Sequence, residues 1–144
     1  MVPLCAEYGC SASIPVIYAM VDHESARNIR AVGDGGESLG LLQLHSAGLG
    51  RGLTMEQRFD PETNLRRGID YHARYLREYG GDVAAAITAH NAGGAAVNEQ
   101  YQLGRDWTTV IHHKDKKTGT LVYVKDIYTN PVLHTARTRY GYAG

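Results

Sequence analysis

The sequence predicts a mainly α fold of the α+β kind: a single compact helical domain over residues 1–144, with a small glycine-rich loop or hairpin. Three observations predict it. Apolar residues recur at helical spacing over long stretches, capping side chains stand just before those stretches, and a glycine cluster from Gly33 to Gly40 interrupts them. At 144 residues the chain is about one domain, long enough to bury a core without disulfide or metal staples.

In chain order, Cys5 and Cys10 come first, with four residues between them, a spacing that suits neither a zinc pair nor a thioredoxin motif; buried free thiols on a short helix are expected. Ser13 reads as an N-cap and Pro15 as an early helical position, so a helix starts here and runs to Glu24-Ser25. The stretch Gly33-Asp34-Gly35-Gly36-Glu37-Ser38-Leu39-Gly40 cannot hold a helix and leads into the short apolar run Leu41 to Leu44. Thr54-Met55-Glu56-Gln57 is a capping-box pattern opening a short helix. Asp60-Pro61-Glu62 starts the longest helix, with Leu65, Ile69, Ala73 and Leu76 as its core stripe and Gly80-Gly81 as its stop. Asp82 caps an alanine-rich helix to about His90, and Asn91 to Gly94 breaks it. A further helical piece spans about Ala95 to Tyr101, with Trp107 plugging the core beside it. The segment from Thr120 to Tyr128 has strand-like β-branched content, yet Leu121, Val124 and Tyr128 keep helical spacing; it is assigned as helix, restarted or kinked at Pro131.

Within the first long helix, Ile17, Met20 and Val21 share a stripe with Glu24 by i, i+3, i+4, i+7 spacing. Glu24 therefore points inward. A carboxyl on a buried stripe, at the negative end of its own helix, keeps its proton to a higher pH than a solvated one, which is what a general acid needs. The competing use of such a residue is a surface ion pair with Arg27 or Arg30.

Composition excludes several classes. Formal net charge is zero and the isoelectric point is near neutral, so electrostatics give no case for nucleic acid or an anionic membrane surface. The basic run Lys114 to Lys117 is broken by Asp115 and reads as a solvated loop. No apolar run reaches membrane-spanning length, and the first residues lack the basic-then-apolar pattern of a secretory peptide. The seven histidines form no His-Glu-x-x-His or similar spacing, and neither a phosphate loop nor a Gly-x-Ser-x-Gly elbow is present. No cofactor and no metal is expected.

Several segments then agree, in order, with one family. Glu24-Ser25; the loop Gly33-Asp34 through Ser38-Leu39-Gly40-Leu41-Leu42-Gln43; Asp60-Pro61 with Asn64, Gly68 and Tyr71; Ala89-His90-Asn91-Ala92-Gly93 with Val97; and Tyr123-Val124 with Tyr140-Gly141-Tyr142 together resemble the goose-type lysozyme and soluble lytic transglycosylase superfamily. The resemblance runs from about Tyr8 to the end and implies a lysozyme-like fold with the glycine-rich loop beside an active-site cleft. It also implies cleavage of the β-1,4 bond between N-acetylmuramic acid and N-acetylglucosamine in peptidoglycan, with Glu24 as proton donor. Substrate-binding positions carried over are Ser38, Gly40, Leu41, Gln43, His45, His90, Asn91 and Tyr123. Gly40 would let backbone approach a sugar, Ser38 would orient Glu24 or hold a loop turn, and Gln43 would meet an acetamido group, the acid, or the loop's own backbone. The family has a tyrosine where this chain has His90, and an imidazole there is expected to serve as a hydrogen-bond donor or to shift the pH optimum.

Glycosidases ordinarily need a second carboxylate. Lytic transglycosylases, as the resemblance implies, use one glutamate as acid and then base, and leave 1,6-anhydro ends. Asp34 resembles a goose-type aspartate that positions water, but the second such aspartate falls at His45 here. The pair is half present, so the single-acid reaction is favoured over an inverting hydrolase using Asp34. From another class, the chain would be a silent peptidoglycan-binding or virion structural protein, against which the intact Glu24 argues. A compact wall-cleaving chain without an export signal resembles a bacteriophage endolysin, which implies synthesis in the host cytoplasm, holin-dependent release and action on glycan strands as a monomer. A virion-associated lysozyme, or a bacterial enzyme whose signal has been trimmed, is the other setting.

Overall fold

Helices begin where a side chain can satisfy backbone N–H groups that have no partner within the helix. The computed structural model describes residues 1–144. Helix α1 (Val2–Glu7) carries Cys5, and Cys5 and Cys10 are both buried free thiols. Helix α2 (Ile14–Ser25) follows a single 3₁₀ turn, Ser11–Ser13; Ser13 precedes the helix as expected but its side chain makes no capping bond. A three-stranded antiparallel sheet follows, with β1 (Val32–Gly33), β2 (Ser38–Leu39) and β3 (Leu44–His45) in that order, Val32 opposite Leu39 and Leu39 opposite Leu44.

Thr54 and Gln57 close a reciprocal capping box on α3 (Met55–Phe59). Asp60 caps α4 (Pro61–Glu78) by accepting from the Thr63 N–H at 2.9 Å, and Asp82 caps α5 (Val83–Ala92) from the Ala85 N–H at 3.2 Å. Gly93 ends α5 and starts α6 (Gly94–Gln102). Trp107 is half-buried in a 3₁₀ turn against the core.

The tail corrects the sequence reading. Leu121–Tyr123 is a strand, β5, paired antiparallel with β4 (Ile111–Lys114), and the basic run forms the exposed turn between them. Only from Lys125 does the chain become helical, as a π-helical turn to Thr129, and Pro131 then sits in the first turn of α7 (Asn130–Tyr140). The β-branched content of the segment was the better guide for Leu121–Tyr123, because a partner strand exists to pair with it.

The core lies between α2, α4, α5 and α7. Val16, Ile17 and Met20 from α2 meet Ile69 and Ala73 from α4, Ala86, Ile87 and Ala89 from α5, and Val132 and Ala136 from α7, all buried. Alanines on α5 allow close helix approach, and the C-terminal half of this helix meets the π turn at Thr88 and Thr129 and the groove loop at His90 and Leu42. No helix is long and apolar enough to cross a membrane.

Candidate active site

Glu24 occupies the last turn of α2, on the same face as the buried Ile17, Met20 and Val21. Neither arginine nearby takes it as a partner. Arg27 pairs with Asp22 (2.9 Å) and Arg30 with Glu56 (3.4 Å). The Glu24 carboxyl instead faces a groove of about 800 Å³, and burial pushes its pKa up to about 7, helped by the charge of Asp34 and opposed by the Tyr128 hydroxyl.

The chain turns sharply after this helix. Ala26 (φ 50°) and Arg27 (φ 65°) both adopt left-handed backbone, and the other non-glycine residues with positive φ are Asp34 (50°) and Gln43 (49°). All four lie between the acid and the end of the loop that walls the groove, so backbone strain is concentrated at the site.

Of the positions carried over from sequence, the structure gathers Glu24, Asp34, Ser38, Gln43, His45, His90 and Asn91 on one groove. Ser38 Oγ donates to Asp34 Oδ2 at 2.6 Å, which holds the loop turn rather than orienting Glu24. Gln43 Nε2 donates to the carbonyls of Ala31 (3.1 Å) and Gly40 (3.0 Å), so its amide serves the loop's own backbone while its Oε1 abuts Gly33. His45 Nδ1 accepts from the Ala47 N–H at 3.0 Å. Asn91 stands exposed at the groove wall. His90 is buried, and its Nε2 bonds the Leu42 carbonyl at 3.0 Å, so it is not the donor to the acid that the sequence suggested.

Three positions lie outside the groove. Gly40 (φ 83°) is buried against the scaffold: a Cβ there would sit 2.4 Å from both the Arg58 carbonyl oxygen and Asn64 Nδ2, which leaves it no face for a sugar. Leu41 belongs to the core. Tyr123 is on β5 beneath the Lys125 ammonium, 5.7 Å from the ring centroid. The tyrosine at the acid is Tyr128, five residues on, buried in the π turn. Its i+4 spacing from Val124 was the available signal, since that spacing sends both side chains inward. Tyr71 and Tyr75 of α4 also line the groove, with centroids 6.0 Å apart.

The scaffold holding the loop is polar and buried. Asn64 accepts from the Leu42 N–H (2.9 Å) and donates to the carbonyls of Leu39 (3.1 Å) and Arg58 (2.9 Å). Arg58 Nη1 in turn donates to the carbonyls of Glu37 (2.8 Å) and Leu44 (3.2 Å).

The fold is similar to that of an inactive mutant of the lytic transglycosylase Slt from Pseudomonas aeruginosa (TM-score 0.56, 20% identity, covering 98% of this chain and 20% of that one). It is also similar to the 70 kDa soluble lytic transglycosylase from Escherichia coli (TM-score 0.61, 22% identity, covering 88% of this chain and 22% of that one). The chain thus spans about a fifth of the length of each. The family model described as Transglycosylase SLT domain matches residues 6–108, which include the acid, the loop and the α5 turn. This chain belongs to the transglycosylase SLT domain family.

Proposed function

We propose that the protein is a peptidoglycan lytic transglycosylase that cleaves the β-1,4 bond between N-acetylmuramic acid and N-acetylglucosamine, with Glu24 as acid and then base. The observation that carries this reading is the buried Glu24 carboxyl, raised to a pKa of about 7, facing a groove of about 800 Å³. Near neutral pH such a group is poised for both roles. Protonated Glu24 gives its proton to the glycosidic oxygen as the bond to C1 breaks. The resulting carboxylate then takes the proton of the muramic acid C6 hydroxyl as that oxygen bonds to C1, giving a 1,6-anhydro end without consuming water.

An inverting hydrolase is the second reading, favoured by Asp34 lining the same groove. Against it, Asp34 is tied to Ser38 and the second acidic position is His45. Mass spectrometry of muropeptides released from purified cell walls separates the two: 1,6-anhydro ends support the transglycosylase, reducing ends the hydrolase, and no released fragments would refute both. Asn91 and His45 are proposed as sugar contacts. Part of the same reading is an endolysin setting, in which a monomer made in the host cytoplasm reaches the wall through a holin. Expression in bacteria with and without a membrane-permeabilising agent tests that setting, and lysis without the agent counts against it.

A further inference from the structure

We propose that His90 is a positioning residue for the acid: its ring, anchored on the Leu42 carbonyl, braces Tyr128 so that the tyrosine hydroxyl stays turned toward Glu24. The role rests on Glu24 being the acid proposed above.

Three elements converge behind the groove, α4 with His72, α5 with His90 and the π turn with Tyr128, and all three side chains are buried. Five buried side-chain polar atoms in the protein lack a hydrogen-bond partner, and four are here: both ring nitrogens of His72, His90 Nδ1 and the Tyr128 hydroxyl. Orphaned groups of this kind are costly, so their concentration at one place marks a constraint other than stability.

The Tyr128 hydroxyl has no anchor of its own. Its direction is set by how its ring packs. That ring lies nearly parallel to the His90 ring, with planes 13° and centroids 6.5 Å apart. The imidazole is itself fixed: a carbonyl only accepts, so Nε2 carries the proton donated to Leu42, and Nδ1 keeps the lone pair. Leu42 is held by Asn64 through its N–H and by Gly68 through its side chain, while Thr88 and Thr129 hydroxyls, 2.7 Å apart, clamp α5 to the π turn beside Tyr128. The chain of restraint runs from Leu42 to His90, from His90 to Tyr128, and from Tyr128 to Glu24.

The titratable groups around this chain are Glu24 from α2, Asp34 from the loop, His72 from α4 and His90 from α5. His23 is turned to Thr135 and His45 to the Ala47 N–H. Burial keeps both His72 and His90 neutral, so neither places a positive charge beside the acid at neutral pH. The hydroxyl favours the Glu24 carboxylate, and losing its direction raises the carboxyl's pKa.

The test is a ¹³C NMR titration of the Glu24 carboxyl in the wild type, Tyr128→Phe, His90→Leu, His90→Gln and the Tyr128→Phe/His90→Gln double variant. Tyr128→Phe should move the titration up by about half a unit to one unit, because it removes the hydroxyl whose presence lowers the Glu24 pKa. His90→Leu should move it in the same direction by a comparable amount, and the double variant should add nothing to Tyr128→Phe. If His90→Leu does not fold, His90→Gln is read alone, since it keeps a donor for Leu42 but has no ring against Tyr128. An unmoved Glu24 titration in the folded His90 variants, or full additivity in the double variant, overturns the proposal. A wild type that clears no cell walls would count against the proposed function while leaving the titration readable.

Discussion

Gly68 of α4 lies against Leu42 of the groove loop: a Cβ built on the glycine would stand 2.4 Å from Leu42 Cδ1 and 3.4 Å from its Cβ. Leu42 is fully buried and cannot swing away. Gly68→Ala gains about 1 kcal/mol of helix propensity, but overpacking costs more, so a net loss of about 1–2 kcal/mol is expected in chemical denaturation. The same variant displaces the carbonyl that holds His90, so activity should fall further than stability.

Asn64→Ala is expected to be worse. It strands the Leu42 N–H and the carbonyls of Leu39 and Arg58, all met by one buried amide. Even with partial relaxation the loss should be about 3 kcal/mol, or roughly 10 °C in Tm, measured by thermal melting.

What was legible in the sequence, and what was not, divides along local and non-local physics. Thr54 with Gln57, Asp60, Asp82 and the Gly80-Gly81 stop act within a few residues, and each helix boundary they imply is present. The inward placement of Glu24 follows from helical spacing alone. Leu121–Tyr123 turns out as a strand because its partner is Ile111–Lys114, and no local pattern specifies that pairing. The switch from strand to π turn then decides that Tyr128, not Tyr123, faces the acid. Gly40 and Leu41 sit in the recognised loop, but Asn64, Arg58 and the core claim them, and the use of a residue by the scaffold is a tertiary fact.

Asp34→Asn separates two effects. Its charge raises the Glu24 pKa, so the neutral variant should shift the alkaline limb of the wall-clearing profile to lower pH. In a transglycosylase the maximal rate stays near the wild-type value, whereas loss of a water-activating base would lower it about 100-fold or more. Turbidity assays across pH 5–9 read both.

His72 and His90 make the fold sensitive to acid. Unfolded, each imidazole takes a proton near pH 6.5; folded, burial lowers them to about 3 and about 4. Between those limits the unfolded chain binds more protons, so stability falls as pH drops from about 6.5. Glu24 acts in the opposite sense over the same window, and because two imidazoles stand against one carboxyl the net effect is still a loss of stability toward acid. His72→Leu removes one imidazole from the balance and should flatten the stability profile between pH 4.5 and 6.5, measured by urea denaturation.

Glu24→Gln should abolish wall cleavage and yet stabilise the protein, and the pH at which it does so identifies the cause. The folded carboxyl titrates near pH 7 and the unfolded one near 4.5, so the native state holds its proton more tightly. The contribution of the protonated carboxyl is fully present below pH 4.5 and is lost as pH rises through 7, about 3 kcal/mol in all. Glutamine resembles the protonated form and loses nothing over that range. Urea denaturation should therefore show near-equal stabilities at pH 4.5 and a clear advantage for the variant at pH 8. Equal stabilities at both pH values would mean that the wild-type carboxylate is well solvated in the groove, and the poised acid at the centre of the proposed chemistry would be wrong.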